Sequence, residues 1–95
     1  MRIIESPMAE KKLRAIFADG THTDFGAAGM KDYTLYHKED KELAERRKKA
    51  YRERHEKDLE TGDPKRAGYL SYYILWNKPT IKESVADYKK RFPTL

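Results

Sequence analysis

Six cations, Arg46, Arg47, Lys48, Lys49, Arg52 and Arg54, crowd into residues 46–54. On a helix that span is roughly 2.5 turns. Four consecutive helical residues point around the whole barrel, so the cations form a positive collar rather than one stripe. The chemistry a collar offers is charge pairing, with the phosphates of a nucleic acid or with the carboxylates of a protein. Residues 38–58 hold nine Lys/Arg but also seven Asp/Glu, and carboxylates repel phosphates. Three readings stay open: a solvated helix, a protein-binding face and a nucleic-acid-binding face.

Other residue types offer less. His22, His37 and His55 have no metal-ligand spacing and fall on three different elements, so no metal site is expected. Ser6, Ser71 and Ser84 sit in no nucleophile elbow. The carboxylates are nearly all interleaved with Lys or Arg, the pattern of a salt-bridged solvent face and not of a low-dielectric acid/base pair. Gly26-Ala27-Ala28-Gly29 lacks both the dinucleotide and the Walker signatures and reads as a flexible joint. Tyr69, Tyr72, Tyr73 and Trp76 recur at i, i+3, i+4 and i+7. They could stack bases, but they share a helix with Leu70, Ile74 and Leu75, so the stripe reads as core. No enzyme activity and no cofactor are expected.

The elements that would position these groups begin after a short arm, residues 1–10, in which Ser6-Pro7 disfavours helix. Residues 11–92 form a single domain, and 93–95 a tail. Leu13, Ala15 and Phe17 alternate on a basic strand, Asp19-Gly20 is a favoured two-residue hairpin turn, and Thr21–Phe25 returns. Asp32–His37 is a third strand or an extended tether. A long helix runs from Asp40, its cap, to about Leu59. Glu42–Arg46, Glu45–Lys49 and Glu53–Lys57 are spaced for i,i+4 pairing along it, and its apolar seam of Leu43, Ala50 and Tyr51, with His55 in line, is narrow. Gly62 and Pro64 stop it. A core helix over 65–77 and a last helix over 80–92, opened by the Thr80–Glu83 capping box, complete the chain. The fold class expected is α+β: an N-terminal β-hairpin packed with three α-helices in a single small domain. Phe17, Tyr69, Ile74, Trp76, Val85 and Phe92 are expected to be buried together.

Composition narrows the class further. The chain has 95 residues, and charged residues make up 39% of them, against roughly 25% in an ordinary domain. An aromatic content of 12% supplies large rings for a thin core and argues against disorder. With 21 Lys/Arg against 16 Asp/Glu the net charge is +5 and the pI about 9.4. Such a balance favours anionic partners without choosing among them. There is no Cys, so disulfides are excluded and a reducing compartment fits. Neither a secretory signal nor a membrane span is expected, the longest apolar run being Tyr69–Trp76.

Three segments taken together resemble a known group: Phe25-Gly26 through Met30-Lys31-Asp32-Tyr33-Thr34, then Arg52-Glu53-Arg54-His55, then Gly68-Tyr69-Leu70-Ser71-Tyr72-Tyr73-Ile74-Leu75-Trp76-Asn77-Lys78-Pro79-Thr80. In that order they resemble a family of short basic, functionally uncharacterised proteins encoded by large nucleocytoplasmic DNA viruses of algae and protists. Leu75–Thr80 is the most specific element, and the likeness covers about residues 10–92. Relatives in that family tend to carry further aromatic or bulky residues where this chain has Ser71-Tyr72-Tyr73.

The resemblance implies a viral setting, the virion or the host cytoplasm of an infected cell, and no catalytic residues. On it rests the expectation of a minor capsid or cementing component that binds larger viral protein subunits. The alternative is a nucleic-acid-binding protein that contacts the DNA phosphate backbone through the six cations of the collar. A cellular regulatory adaptor is a third, weaker candidate. Oligomeric state is not legible.

Overall fold

The computed structural model describes residues 1–95. Three antiparallel strands, β1 (Arg2–Glu5), β2 (Lys11–Ile16) and β3 (His22–Ala27), lie in the order β1-β2-β3. They are followed by α1 (Tyr33–Glu39), α2 (Lys41–His55), α3 (Ala67–Leu70) and α4 (Ile81–Arg91). A 3-10 segment, Glu56–Thr61, extends α2, and a π-wound segment, Ser71–Leu75, extends α3. This corrects the expected hairpin with three helices: the sheet has a third strand, and there are four helices.

The third strand comes from the expected arm. Arg2-Ile3-Ile4-Glu5 pairs along β2, with Ile3 opposite Ala15 and Glu5 opposite Leu13, and Ile is well suited to a pleated surface. Ser6 closes the connection, its N–H donating to Lys12 C=O at 3.1 Å. The β2–β3 turn also differs from the expected two-residue form. Phe17 N–H donates to Thr21 C=O at 2.9 Å and Gly20 N–H to Phe17 C=O at 3.0 Å. Only Gly20, at φ 87°, is left-handed. That is a three-residue loop with glycine at its bulge position. The tail is tied to this turn, since Ala18 N–H donates to Leu95 C=O at 2.6 Å.

Residues 32–37 are neither strand nor tether. Asp32 caps α1, its carboxylate accepting from Thr34 N–H at 2.9 Å and Leu35 N–H at 3.3 Å. Lys12 on β2 donates to the other carboxylate oxygen at 2.7 Å, anchoring the cap to the sheet. Asp40 is the joint between α1 and α2. Its extended backbone (φ −158°) breaks the helix, its N–H closes α1 on Tyr36 C=O at 2.8 Å, and its side chain caps α2 by accepting from Leu43 N–H at 3.1 Å. Thr80 caps α4 in the same manner, accepting from Glu83 N–H at 3.1 Å.

One face of the sheet carries the core. Ala15, Phe17 and Phe25 pack with Leu70, Ile74, Leu75 and Tyr88. Only 13 of 95 residues are buried, so each buried ring supplies a large share of the cohesion. Of the expected core residues Phe17 and Ile74 are buried, whereas Tyr69, Trp76, Val85 and Phe92 are partly buried and pack against the cluster. The π winding explains the discrepancy for Trp76. An extra residue per turn rotates the side chains that follow by about 100° relative to α-helical register. The i, i+7 relation of Tyr69 to Trp76 is thereby lost, and Trp76 faces α2 instead.

The opposite face of the sheet is polar. Arg14 and Asp24, directly opposite in register, form a two-point ion pair at 2.9 and 3.0 Å, and Ser6 Oγ donates to Asp24 at 2.7 Å. The Arg14 and Ser6 hydrogen bonds hold the Asp24 carboxyl down at about 2, from an ordinary 3.8. A carboxyl with a lowered native pKa stabilises the fold fully above its ordinary value and loses that contribution as pH falls through the native one. Stability should therefore decline on acidification from about 3.8 toward about 2. Denaturant melts across that range should show a shallower decline for Asp24→Asn than for the parent. Equal slopes would remove Asp24 from the acid response.

Candidate functional site

The six collar cations have different fates. Lys48 and Arg52 turn inward, to the corner that ends the π-wound helix. Lys48 Nζ donates to Asn77 C=O at 2.7 Å, and Arg52 Nε donates to Trp76 C=O at 2.8 Å. Arg52 also reaches Asn77 Oδ1 at 3.3 Å. These carbonyls lie just past the end of a helix, where cations are favoured by the unpaired C=O groups and the helix dipole. Both side chains also stack on rings: Lys48 Nζ lies 4.9 Å from the Tyr33 centroid, and the Arg52 guanidinium 4.5 Å from that of Tyr72. Burial, with Arg52 and Lys78 nearby, pushes the Lys48 ammonium below its ordinary pKa.

The corner extends into α4. Asn77, itself buried, donates from Nδ2 to Asp87 at 2.9 Å, and Asp87 accepts from Arg91 at 2.7 Å. Lys78 N–H donates to the buried Ser84 hydroxyl at 2.9 Å. The Trp-Asn-Lys-Pro run is thus the junction where α2, the core helix and α4 are tied together.

Arg46, Lys49 and Arg54 stay exposed and have no carboxylate partner. The i,i+4 pairs expected on this helix do not form. Glu45 instead accepts from the Tyr33 hydroxyl, joining α1 to α2. Burial and this carboxylate push the Tyr33 phenol up to about 12. Arg47 is exposed too, but its guanidinium lies over Tyr36, 5.6 Å from the centroid, at the edge of a cleft.

That cleft, about 460 Å³ in volume, lies between β3, α1, α2 and the core helix. Trp76 and Tyr51 stack inside it at 4.5 Å and 9°. His55 covers the other side of Tyr51 at 4.2 Å and 25°. Tyr36 faces Trp76 at 6.3 Å and 41°. Ala27, Met30, Ala50, Ala67 and Leu75 complete the apolar lining. Gly26 forms part of the wall. At φ 80° it is left-handed, and a Cβ there would stand 2.7 Å from Leu75 Cδ1, so the glycine is a point of close packing rather than a free joint. Five cations reach the cleft: Lys11, Lys12, Lys31, Arg47 and Arg54. Lys12 is paired with Asp32, and Lys31 with Glu39 at 2.8 Å.

Sequence reasoning placed Tyr51 on the seam of α2 but not the cleft. The cleft depends on the rotation of Trp76 by π winding and on α1 being a helix that presents Tyr36. The Asp32-Tyr33-Thr34 triplet, an Asx cap signal, was the one local clue to the second of these. The three histidines remain apart: His22 lies 3.9 Å from Asp24, His37 beside Tyr33, and His55 3.0 Å from Asp58. No group of three or more His, Asp or Glu side chains is placed to hold a metal ion. No helix is long and apolar enough to cross a membrane.

A model of a family of unknown function (DUF5754) matches residues 1–55, from β1 through the end of α2. No curated protein and no solved structure matches the chain.

Proposed function

We propose, for a chain that belongs to the DUF5754 family of unknown function, a non-enzymatic role: it docks on a larger protein partner. The observation that carries this is the division of the collar. Lys48 and Arg52 are engaged inside the molecule. The outward cations Arg46, Arg47, Lys49 and Arg54 share the helix and its extension with the exposed acids Glu42, Glu45, Glu53 and Glu56. A phosphate backbone is best matched by a continuous positive track. A broken, mixed-charge face suits a protein surface of mixed charge. The virion, and coat subunits as the partner, come from the resemblance to viral proteins alone, and mass spectrometry of purified particles tests them.

The competing function is DNA binding through the same helix. Titration of a labelled duplex against salt separates the two. The protein-partner role gives weak binding at physiological ionic strength. It also gives little change when Arg46, Lys49 and Arg54 are replaced together by Gln, a variant that spares the structural Lys48 and Arg52. DNA binding would give a steep loss of affinity with salt, roughly 0.9 counterions per phosphate neutralised, and a flatter slope in the variant. Tight, salt-steep binding overturns the proposal.

A further inference from the structure

The cleft beside Trp76 combines three properties that its role in packing does not require. It is of ligand size, about 460 Å³, within the roughly 300–1,000 Å³ of small-molecule and side-chain pockets. Its lining is aromatic, and its rim is basic, with five Lys/Arg against two Asp. Lys11, Arg47 and Arg54 have no carboxylate partner, and of the two acids that reach the cleft, Asp32 is paired with Lys12 and Asp58 lies within hydrogen-bond distance of His55. Met30, 65% exposed, stands on the same rim. Methionine on a rim adapts to the shape of an apolar visitor.

We infer that this cleft docks an acidic segment of a protein partner that carries one bulky apolar side chain. The apolar group enters against Trp76 and Tyr36, and its flanking carboxylates pair with Lys11, Arg47 and Arg54. The inference rests on the protein-partner role above and names the site and chemistry of the contact. Charge complementarity selects an anion. The aromatic geometry selects a peptide over a nucleic acid. Tyr51 is covered on both faces, by His55 and by Trp76, so the row of open ring faces on which successive bases stack is missing.

The chain has one Trp, and it lies in the cleft, so its fluorescence reports occupancy. Three probes are titrated at low and physiological salt: a blocked peptide of Asp and Glu flanking a single Phe, its Asn/Gln counterpart, and a twelve-nucleotide oligothymidylate. The expected result is a saturable change in Trp76 emission with the acidic peptide alone. The double variant Arg47→Gln, Arg54→Gln should weaken it on the order of tenfold, from two partly screened ion pairs, with an unchanged circular dichroism spectrum. No saturable change, equal binding of the neutral peptide, an unaffected double variant, or a tighter response to the oligonucleotide each overturns the inference. Self-association that hides Trp76, seen by sedimentation, would assign the cleft to a second copy and also overturn it. Failure here with no affinity for duplex DNA sinks the cleft alone. Tight duplex binding sinks the protein-partner role as well.

Discussion

Tyr88→Ala should lower the stability of the fold by about 3–5 kcal/mol, the cost of deleting a large buried ring and leaving a cavity. Tyr88 is the largest fully buried side chain, at 0% exposure. Its ring centroid lies 4.8 Å from that of Phe92 and 6.1 Å from that of Tyr73. Its hydroxyl donates to Pro64 C=O at 2.5 Å, pinning the loop before α3 to α4. Burial, with Tyr69 and Tyr73 nearby, raises the phenol well above its ordinary value, so it stays neutral. A domain of this length has about 5–14 kcal/mol in total, so the variant should be largely unfolded or close to it. Tyr88→Phe isolates the hydroxyl and should lose only about 1 kcal/mol. Urea melts followed by circular dichroism measure both. A loss under about 1 kcal/mol for the alanine variant would mean that the core closes elsewhere.

What the sequence disclosed about this fold was its local chemistry. Asp40, Thr80 and Gly62 announce helix ends because their side chains or backbone freedom act within three or four residues of themselves. The alternation of Leu13, Ala15 and Phe17 marked the inner face of β2 for a similar reason. What stayed hidden depends on distant partners. Arg2–Glu5 has only four residues and becomes a strand because β2 offers it an edge. Tyr33–His37 has β-rich residue types, yet Asp32, held by Lys12 from the sheet, caps it into a helix. Tertiary anchoring outweighed propensity there.

The candidate site divides along the same line. The cation density of residues 46–54 was plain in the sequence. Which cations would be used inside the molecule was not, because that depends on where the end of the core helix lands. No local signal marks Ser71–Leu75 for π winding. Its effect is to carry Trp76 away from the core stripe and onto Tyr51, which creates both the cleft and the carbonyl corner that Lys48 and Arg52 cap.

Arg52→Met should therefore destabilise the protein by about 1.5–3 kcal/mol, the range for hydrogen bonds that involve a charged group. Methionine keeps much of the aliphatic stem, so the loss reports the guanidinium, with its place over the Tyr72 and Tyr73 rings, and not the stem. Two hydrogen bonds go: Nε to Trp76 C=O at 2.8 Å and the longer one to Asn77 Oδ1 at 3.3 Å. The Trp76 carbonyl then ends the helix with no cation upon it. Lys49→Met, on the same helix but exposed and unpaired, should stay within about 0.5 kcal/mol of the parent. Paired denaturant melts of the two variants compare a structural cation with a surface one at equal change of charge. If both lose the same small amount, the inward cations are not structural, and the collar returns as a candidate phosphate-binding surface. If Arg52→Met alone falls, the basic run is in part a clamp on the core helix, and only its outward members are available to a partner.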